Sequence, residues 1–371
     1  MEGLSRRRLV GLGSALPLLG QVSWAAPAAA AGAAAPVRLN YNESPFGPSA
    51  AAQAAMHQGV AGCGRYPYPL QYQLIEVFAR QQGVDEDQVQ VFCGSKLALQ
   101  NAVHAFTGPR SLVVPEPSYE APTQTAEARG ATVHSVPLNG QQAHDVDAML
   151  AADPTPGLIY LCNPNNPTGS VTPAADIERL LRRAPADSVI VVDEAYIHFS
   201  DVPSCIPLVK AHANLLVLRT FSKLYGMAGA RVGLAIGQAP LLEALEKFDG
   251  YNVAAAPSLR GALASLGDAT LVARRKQGNQ QLRDATVARL TGAGWCCTAS
   301  QANCFMVDIR RPAEAIVAAL KEQNVLVGRV WPSWPTWIRV SVGDEAQMRR
   351  FEDAFFHVLG HATRICAAGV C

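Results

Sequence analysis

Short apolar runs alternate with stretches of helical periodicity through most of the chain, and this pattern constrains the fold most. The runs are Val89–Phe92, Leu112–Val114, Thr132–Val136, Leu158–Leu161, Val189–Val192, Leu215–Leu218 and Val232–Ile236. Between the earlier ones lie helical stretches over Ser95–Phe106, Tyr119–Arg129 and residues 145–152. Such alternation predicts an α/β fold, a mainly parallel sheet covered by helices on both faces. Ligands of such sheets bind at the carboxyl ends of strands. With 371 residues, 49% of them hydrophobic, the chain can bury a large core. Its net charge of +1 gives no electrostatic case for nucleic acid or an anionic membrane surface.

The elements after residue 269 read differently. A long helix over Ala269–Ala293 is followed by strands Phe305–Ile309, Val325–Val327 and Trp337–Ser341 and by helices Pro312–Lys321 and Glu345–Leu359. This predicts a smaller α+β domain. The expected organisation is a leader over 1–33, an arm over 34–60, a large domain over 61–260, a small domain over 261–361 and a tail over 362–371. Helices are also expected over residues 49–59 and Leu70–Gln82.

One lysine stands out. Thr220-Phe221-Ser222-Lys223-Leu224-Tyr225-Gly226 lies between the Leu215 and Val232 runs, so Lys223 sits in a loop between two buried strands. A cation is expensive to bury, so this lysine is either at the surface or used. A buried lysine has a depressed pKa, and its neutral amine can form a Schiff base. Ser222 beside it and Arg231, eight residues on, could both hold a phosphate. Two further segments end strands: Val189-Ile190-Val191-Val192-Asp193-Glu194-Ala195-Tyr196 and Asn163-Pro164-Asn165-Asn166-Pro167-Thr168-Gly169.

In this order and at these separations, the three segments resemble the fold-type-I aminotransferases, nearest to the histidinol-phosphate aminotransferase branch. The likeness runs from about Leu39 to about Phe355 and includes the arm Leu39-Asn40-Tyr41-Asn42-Glu43-Ser44-Pro45-Phe46-Gly47-Pro48. It implies a large cofactor domain with a mainly parallel sheet, a smaller C-terminal domain and pyridoxal 5'-phosphate as cofactor. The activity implied is ping-pong transfer of an amino group between an amino acid and a 2-oxo acid. By the same resemblance Lys223 is the Schiff-base lysine, and Asp193 pairs with the pyridine nitrogen. Tyr196 and Asn166 bond the ring oxygen, and Tyr119 stacks on the ring face. Gly94, Ser95, Lys96, Ser222 and Arg231 form the phosphate cup. Tyr66 matches a tyrosine that reaches the neighbouring subunit's phosphate, which implies a homodimer with shared sites. Arg339 matches the arginine that takes the substrate's acidic group, with Asn42 and Asn303 as candidates nearby. No Cys/His spacing suggests a metal site.

Two departures from the family's pattern stand out, the first in the phosphate cup and the second at the substrate. Lys96 and Leu97 stand where the family usually has acidic residues. The second arginine of histidinol-phosphate enzymes is displaced by one position, to Arg329, or absent. The loop Val330–Trp337 carries three tryptophans and could form an aromatic pocket or a proline-stiffened surface loop. Another amino acid, aromatic or specialised, is therefore expected as substrate rather than histidinol phosphate. The same machinery also serves decarboxylation, β-elimination and racemisation. A non-enzymatic binder of this fold is disfavoured, because it would be expected to lose Lys223 or Asp193.

The N-terminus adds an address. Ser5-Arg6-Arg7-Arg8 precedes a mildly apolar stretch and then Ala25–Ala35, rich in Ala-x-Ala sites. This resembles a twin-arginine export signal with a cleavage site. Export would place the folded, cofactor-loaded protein in the periplasm, with no membrane association after cleavage. Of the nine cysteines, Cys366 and Cys371 lie in the tail and could then pair.

Overall fold

The structure, a computed structural model, describes residues 35–250 and 252–362. The arginine-rich leader, Cys366 and Cys371 lie outside the described residues. The strands are β1 (Val37–Leu39), β2 (Val89–Phe92), β3 (Leu112–Glu116), β4 (Val133–Pro137), β5 (Leu158–Cys162), β6 (Val189–Asp193), β7 (Leu215–Thr220), β8 (Gly233–Ile236), β9 (Cys296–Cys297), β10 (Cys304–Asp308), β11 (Val325–Val327) and β12 (Trp337–Ser341). Seven form one sheet in the order β2-β8-β7-β6-β5-β3-β4. Its neighbours run parallel except β8, which is antiparallel to both β2 and β7. Every residue of β5, β6, β7 and β8 is buried. That burial on both faces is why these strands read as unbroken apolar runs. The register sets Cys162 beside Asp193 and Asp193 beside Leu218, which aligns the carboxyl ends of β5, β6 and β7.

A second hydrophobic cluster gathers the C-terminal elements. β10 lies between β12 and β9, antiparallel to both, while β1 of the arm runs parallel to β11. Phe305, Ile338, Val340, Phe351 and Phe355 fill the centre. The 22-residue helix Leu271–Gly292 spans both clusters, with Leu271 in the larger core and Leu290 in the smaller.

The structure differs from expectation at three points. The helix expected from Tyr119 begins at Ala121, because Pro122 fits only a first helical turn, so Tyr119 stays in the loop that faces the site. β7 runs on to Thr220, closer to the lysine than the apolar run reaches. Helices Ala174–Arg183, Ala239–Glu246 and Ala256–Gly267 are additional. The last packs on helix Ala50–Val60 through small residues, which leaves little apolar stripe to read. A Cβ on Gly59 would lie 2.6 Å from the Pro257 Cα, and one on Gly261 2.6 Å from the Met56 Cγ.

Gly59→Ala is therefore expected to destabilise the fold by roughly 1–3 kcal/mol, since a backbone atom cannot give way. Gly140→Ala, which opens into free space, is the control. Urea midpoints measure both, and equal midpoints would refute the close-packing account.

Candidate active site

The carboxyl ends of β5, β6 and β7 open into a cleft of about 660 Å³. Lys223, Asp193, Tyr196, Asn166, Tyr119, Ser95, Lys96, Ser222, Arg231, Asn42, Arg329 and Arg339 all line it. Val317 and Val327 add apolar surface from the second cluster. Gly94 lies just behind, and Asn303 donates from its Nδ2 to the Asn42 carbonyl at 3.0 Å. Tyr66 is not brought to this cleft; its ring is 79% exposed and packs near Tyr68.

Each group is held by local chemistry. Asp193 ends β6 fully enclosed. Its Oδ1 accepts the Ala195 amide at 3.1 Å and its Oδ2 the Tyr160 hydroxyl at 3.2 Å. Desolvation pushes the carboxyl up to about 6, against these two bonds, which favour the charged form. Lys223 donates to the Tyr41 carbonyl at 3.0 Å. Burial first, and then the Arg339 charge, push its amine down to about 8. The Tyr196 hydroxyl accepts the Asn42 Nδ2 at 3.1 Å, so its own proton is free to donate into the cleft. Arg339 donates to the Asn166 Oδ1 at 2.8 Å and to the Asn40 carbonyl. Burial holds its guanidinium below the ordinary range.

The opposite end of the cleft suits a dianion. Gly94, with φ of +91°, precedes helix Ser95–Phe106, whose N-terminus has no side-chain cap. A Cβ on Gly94 would lie 2.2 Å from the Arg231 Nη2, so only glycine lets the arginine close over this helix end. Arg231, itself at φ of +56°, donates to the Ala228 carbonyl at 2.9 Å and reaches the Ser222 Oγ at 3.4 Å. A helix end, a hydroxyl and a guanidinium together form a cup that could hold a phosphate.

The remaining cleft residues had weaker signals. Tyr160 is buried in β5 and reaches Asp193 on the next strand, a contact set by register. The Tyr41 and Asn40 contacts are made by backbone carbonyls, which carry no residue signature. Cys162 and Thr220 join the lining because they end β5 and β7. In the tryptophan loop, Trp331 is fully buried and donates its indole N–H to the Ser118 carbonyl at 3.1 Å. Its ring lies under Arg329 at 4.0 Å and Arg339 at 5.2 Å. It supports the two arginines instead of lining a pocket.

Residues 35–355 match the family model for aminotransferase class I and II. The chain belongs to this family. The aminotransferase is 37% identical over 333 residues to a histidinol-phosphate aminotransferase of Symbiobacterium thermophilum, covering 87% of this chain and 91% of the relative. It is 36% identical to an aromatic amino acid aminotransferase of Corynebacterium glutamicum, covering 82% of this chain and 88% of the relative. It is similar in structure to the histidinol-phosphate aminotransferase of Sinorhizobium meliloti in complex with pyridoxal 5'-phosphate. There the TM-score is 0.80 at 25% identity, over 87% of this chain and 90% of that one. The aminotransferase thus has the fold-type-I architecture expected, and pyridoxal 5'-phosphate is the cofactor of its family. The cup at Gly94 and Arg231, the buried Asp193 carboxylate and the Lys223 amine fit that cofactor's phosphate, pyridine nitrogen and aldehyde.

Asp193 is charged at a cost in the cofactor-free fold. Its folded pKa of about 6 lies above the unfolded 3.8, so stability falls as pH rises between these values and the full penalty holds above about pH 6. Asp193→Asn in cofactor-free protein should raise stability at pH 7.5 by on the order of 1–3 kcal/mol, with the gain fading toward pH 4. Urea unfolding at the two pH values checks it; an equal effect at both would exclude a titration origin.

Proposed function

We propose that the enzyme transaminates an amino acid whose carboxylate is held by Arg339 and whose side chain is neutral and apolar or aromatic. The observation that carries this reading is that Lys223, Asp193 and Arg339 converge on one cleft with Val317 and Val327 as apolar wall. When bound, pyridoxal phosphate supplies an electron sink for the charge left at the substrate's Cα. Lys223, with its amine depressed toward working pH, would serve as the base that takes the Cα proton and as the acid that gives it back. Asp193 holds the pyridine nitrogen in its protonated state. Tyr196 and Asn166 donate toward the ring oxygen, and Tyr119 covers the ring face. Ser95, Lys96, Ser222 and Arg231 hold the phosphate. Asn166 and the Asn40 carbonyl fix the Arg339 fork before substrate arrives, so little ordering remains on binding. An arginine fork suits a carboxylate through two parallel charge-assisted bonds.

The relatives include enzymes named for histidinol phosphate and for aromatic amino acids at almost equal identity. The apolar wall and the displaced Arg329 favour the second class. Tyr66, exposed beside Tyr68 and Tyr72, is proposed to complete the phosphate site of a second copy in a homodimer. The leader's basic, apolar and small-residue order supports export by the twin-arginine route.

Arg339→Ala should lower kcat/KM for phenylalanine or tyrosine about 100-fold, the worth of two charge-assisted bonds. Unchanged specificity constants would remove Arg339 from this role. For assembly, mixed Tyr66→Ala and Lys223→Ala subunits should recover activity that neither has alone; no recovery would sink shared sites. For address, a reporter fused behind residue 35 should leave the cytoplasm only with Arg6 and Arg7 intact, and a cytoplasmic reporter would refute export.

A further inference from the structure

We propose that Glu120 sets the substrate range of this cleft by neutralising Arg329, and that losing its charge opens the cleft to substrates with a second negative group. The proposal rests on the reading of Arg339 as the carboxylate site.

Arg329 donates from Nη1 to the Glu120 Oε1. Their side chains are 47% and 28% exposed, so the pair sits at the rim of the cleft that Arg329 lines. Glu120 occupies the turn between Tyr119 and helix Ala121–Ala128, and its other oxygen is only weakly engaged, by Gln124 at 3.4 Å. Arg329 is held from two further directions. Its guanidinium lies 4.0 Å from the centre of the Trp331 ring, itself fixed by the indole bond to Ser118. Its neighbour Gly328 donates its amide to the Arg339 carbonyl at 2.8 Å, and a Cβ there would lie 2.9 Å from the Arg339 Nε. The two arginines are therefore built as one unit across β11 and β12, stacked on the same ring, with the Arg339 Cζ 5.2 Å from its centre.

This geometry separates position from charge. Trp331 and Gly328 place Arg329, while Glu120 cancels it. A substrate side chain extending from Arg339 toward the rim meets a neutral pair. A neutral side chain pays nothing there. An anionic one must displace the Glu120 carboxylate and regains only the bond that carboxylate gives up, while Glu120 itself repels it. Remove the carboxylate charge, and the guanidinium stays over Trp331 with its fork available to a carboxylate or phosphate. Glu120 is thus a specificity-determining residue that selects against a second anion and makes no contact needed for the chemistry.

The test is calorimetric binding at low salt to the cofactor-loaded enzyme, with succinate and glutarate as dianionic probes and 3-phenylpropanoate as the neutral-tailed one. Glu120→Gln should tighten the dicarboxylates at least tenfold and leave 3-phenylpropanoate within twofold. In Glu120→Gln/Arg329→Gln the gain should vanish. No gain, an equal gain for 3-phenylpropanoate, or a gain that survives in the double variant would each overturn the proposal. Arg339→Ala serves as a separate control on the carboxylate reading. If 3-phenylpropanoate loses affinity in that variant while Glu120→Gln changes nothing, the rim proposal fails and the carboxylate reading stands. If 3-phenylpropanoate binds independently of Arg339, the carboxylate reading fails and the rim proposal falls with it.

Discussion

Burial of charge at the open end of a parallel sheet governs the rest of this structure. Asp193 lies enclosed at the end of β6 with one hydroxyl and one amide for company, and its carboxyl is driven up to about 6. Across the cleft, the Lys223 amine is driven down to about 8 by burial and by the Arg339 charge. Arg339 is also buried and pushed below its usual range. These shifts mean that the isolated fold holds each charge at a cost. On the proposed reading, a protonated pyridine nitrogen, a phosphate and a carboxylate offset those costs when the site is filled. The core must then supply the stability the site gives up, and β5 to β8, buried at every position, do so.

The second requirement is close approach. Gly226 lies so near the arm that a Cβ would meet the Gly47 carbonyl at 2.0 Å, and Arg275 ties the Leu224 and Gly47 carbonyls together. A Cβ on Gly233 would lie 2.1 Å from the Ser95 nitrogen, which packs the phosphate-side helix onto β8. The arm and the lysine loop thus approach backbone to backbone at Gly226, and the helix end and β8 do so at Gly233. That is how the arm's Tyr41 carbonyl comes to hold the lysine amine and its Asn40 carbonyl the Arg339 fork.

These two requirements explain which parts were legible in the sequence. Strands buried on both faces read as apolar runs, and residues at their carboxyl ends read as site candidates, so Asp193, Lys223 and Asn166 could be picked out, with the family resemblance adding roles. Helix Ala256–Gly267 could not, because packing through Gly59, Gly261 and alanines replaces the amphipathic stripe that marks a helix. Tyr160 could not either, since its contact with Asp193 depends on strand order and register. Tyr66 has its matching pattern, but a single chain leaves it outside the cleft.

The tryptophan loop shows the same limit from the other side. Its composition suggested either a pocket wall or a surface loop, and Trp331 is neither. It is a buried platform that joins the loop before helix Ala121–Ala128, through Ser118, to Arg329, just past β11, and Arg339 of β12. The loop before helix Ala121–Ala128 and the two arginines therefore meet on one ring. Tyr119 and Glu120 come from the sheet side, Arg329 and Arg339 from the C-terminal side, and their spacing is fixed by that contact. A change of substrate charge can then be made at the rim, by altering which partner Arg329 faces, without moving Lys223 or Asp193 in the same cleft.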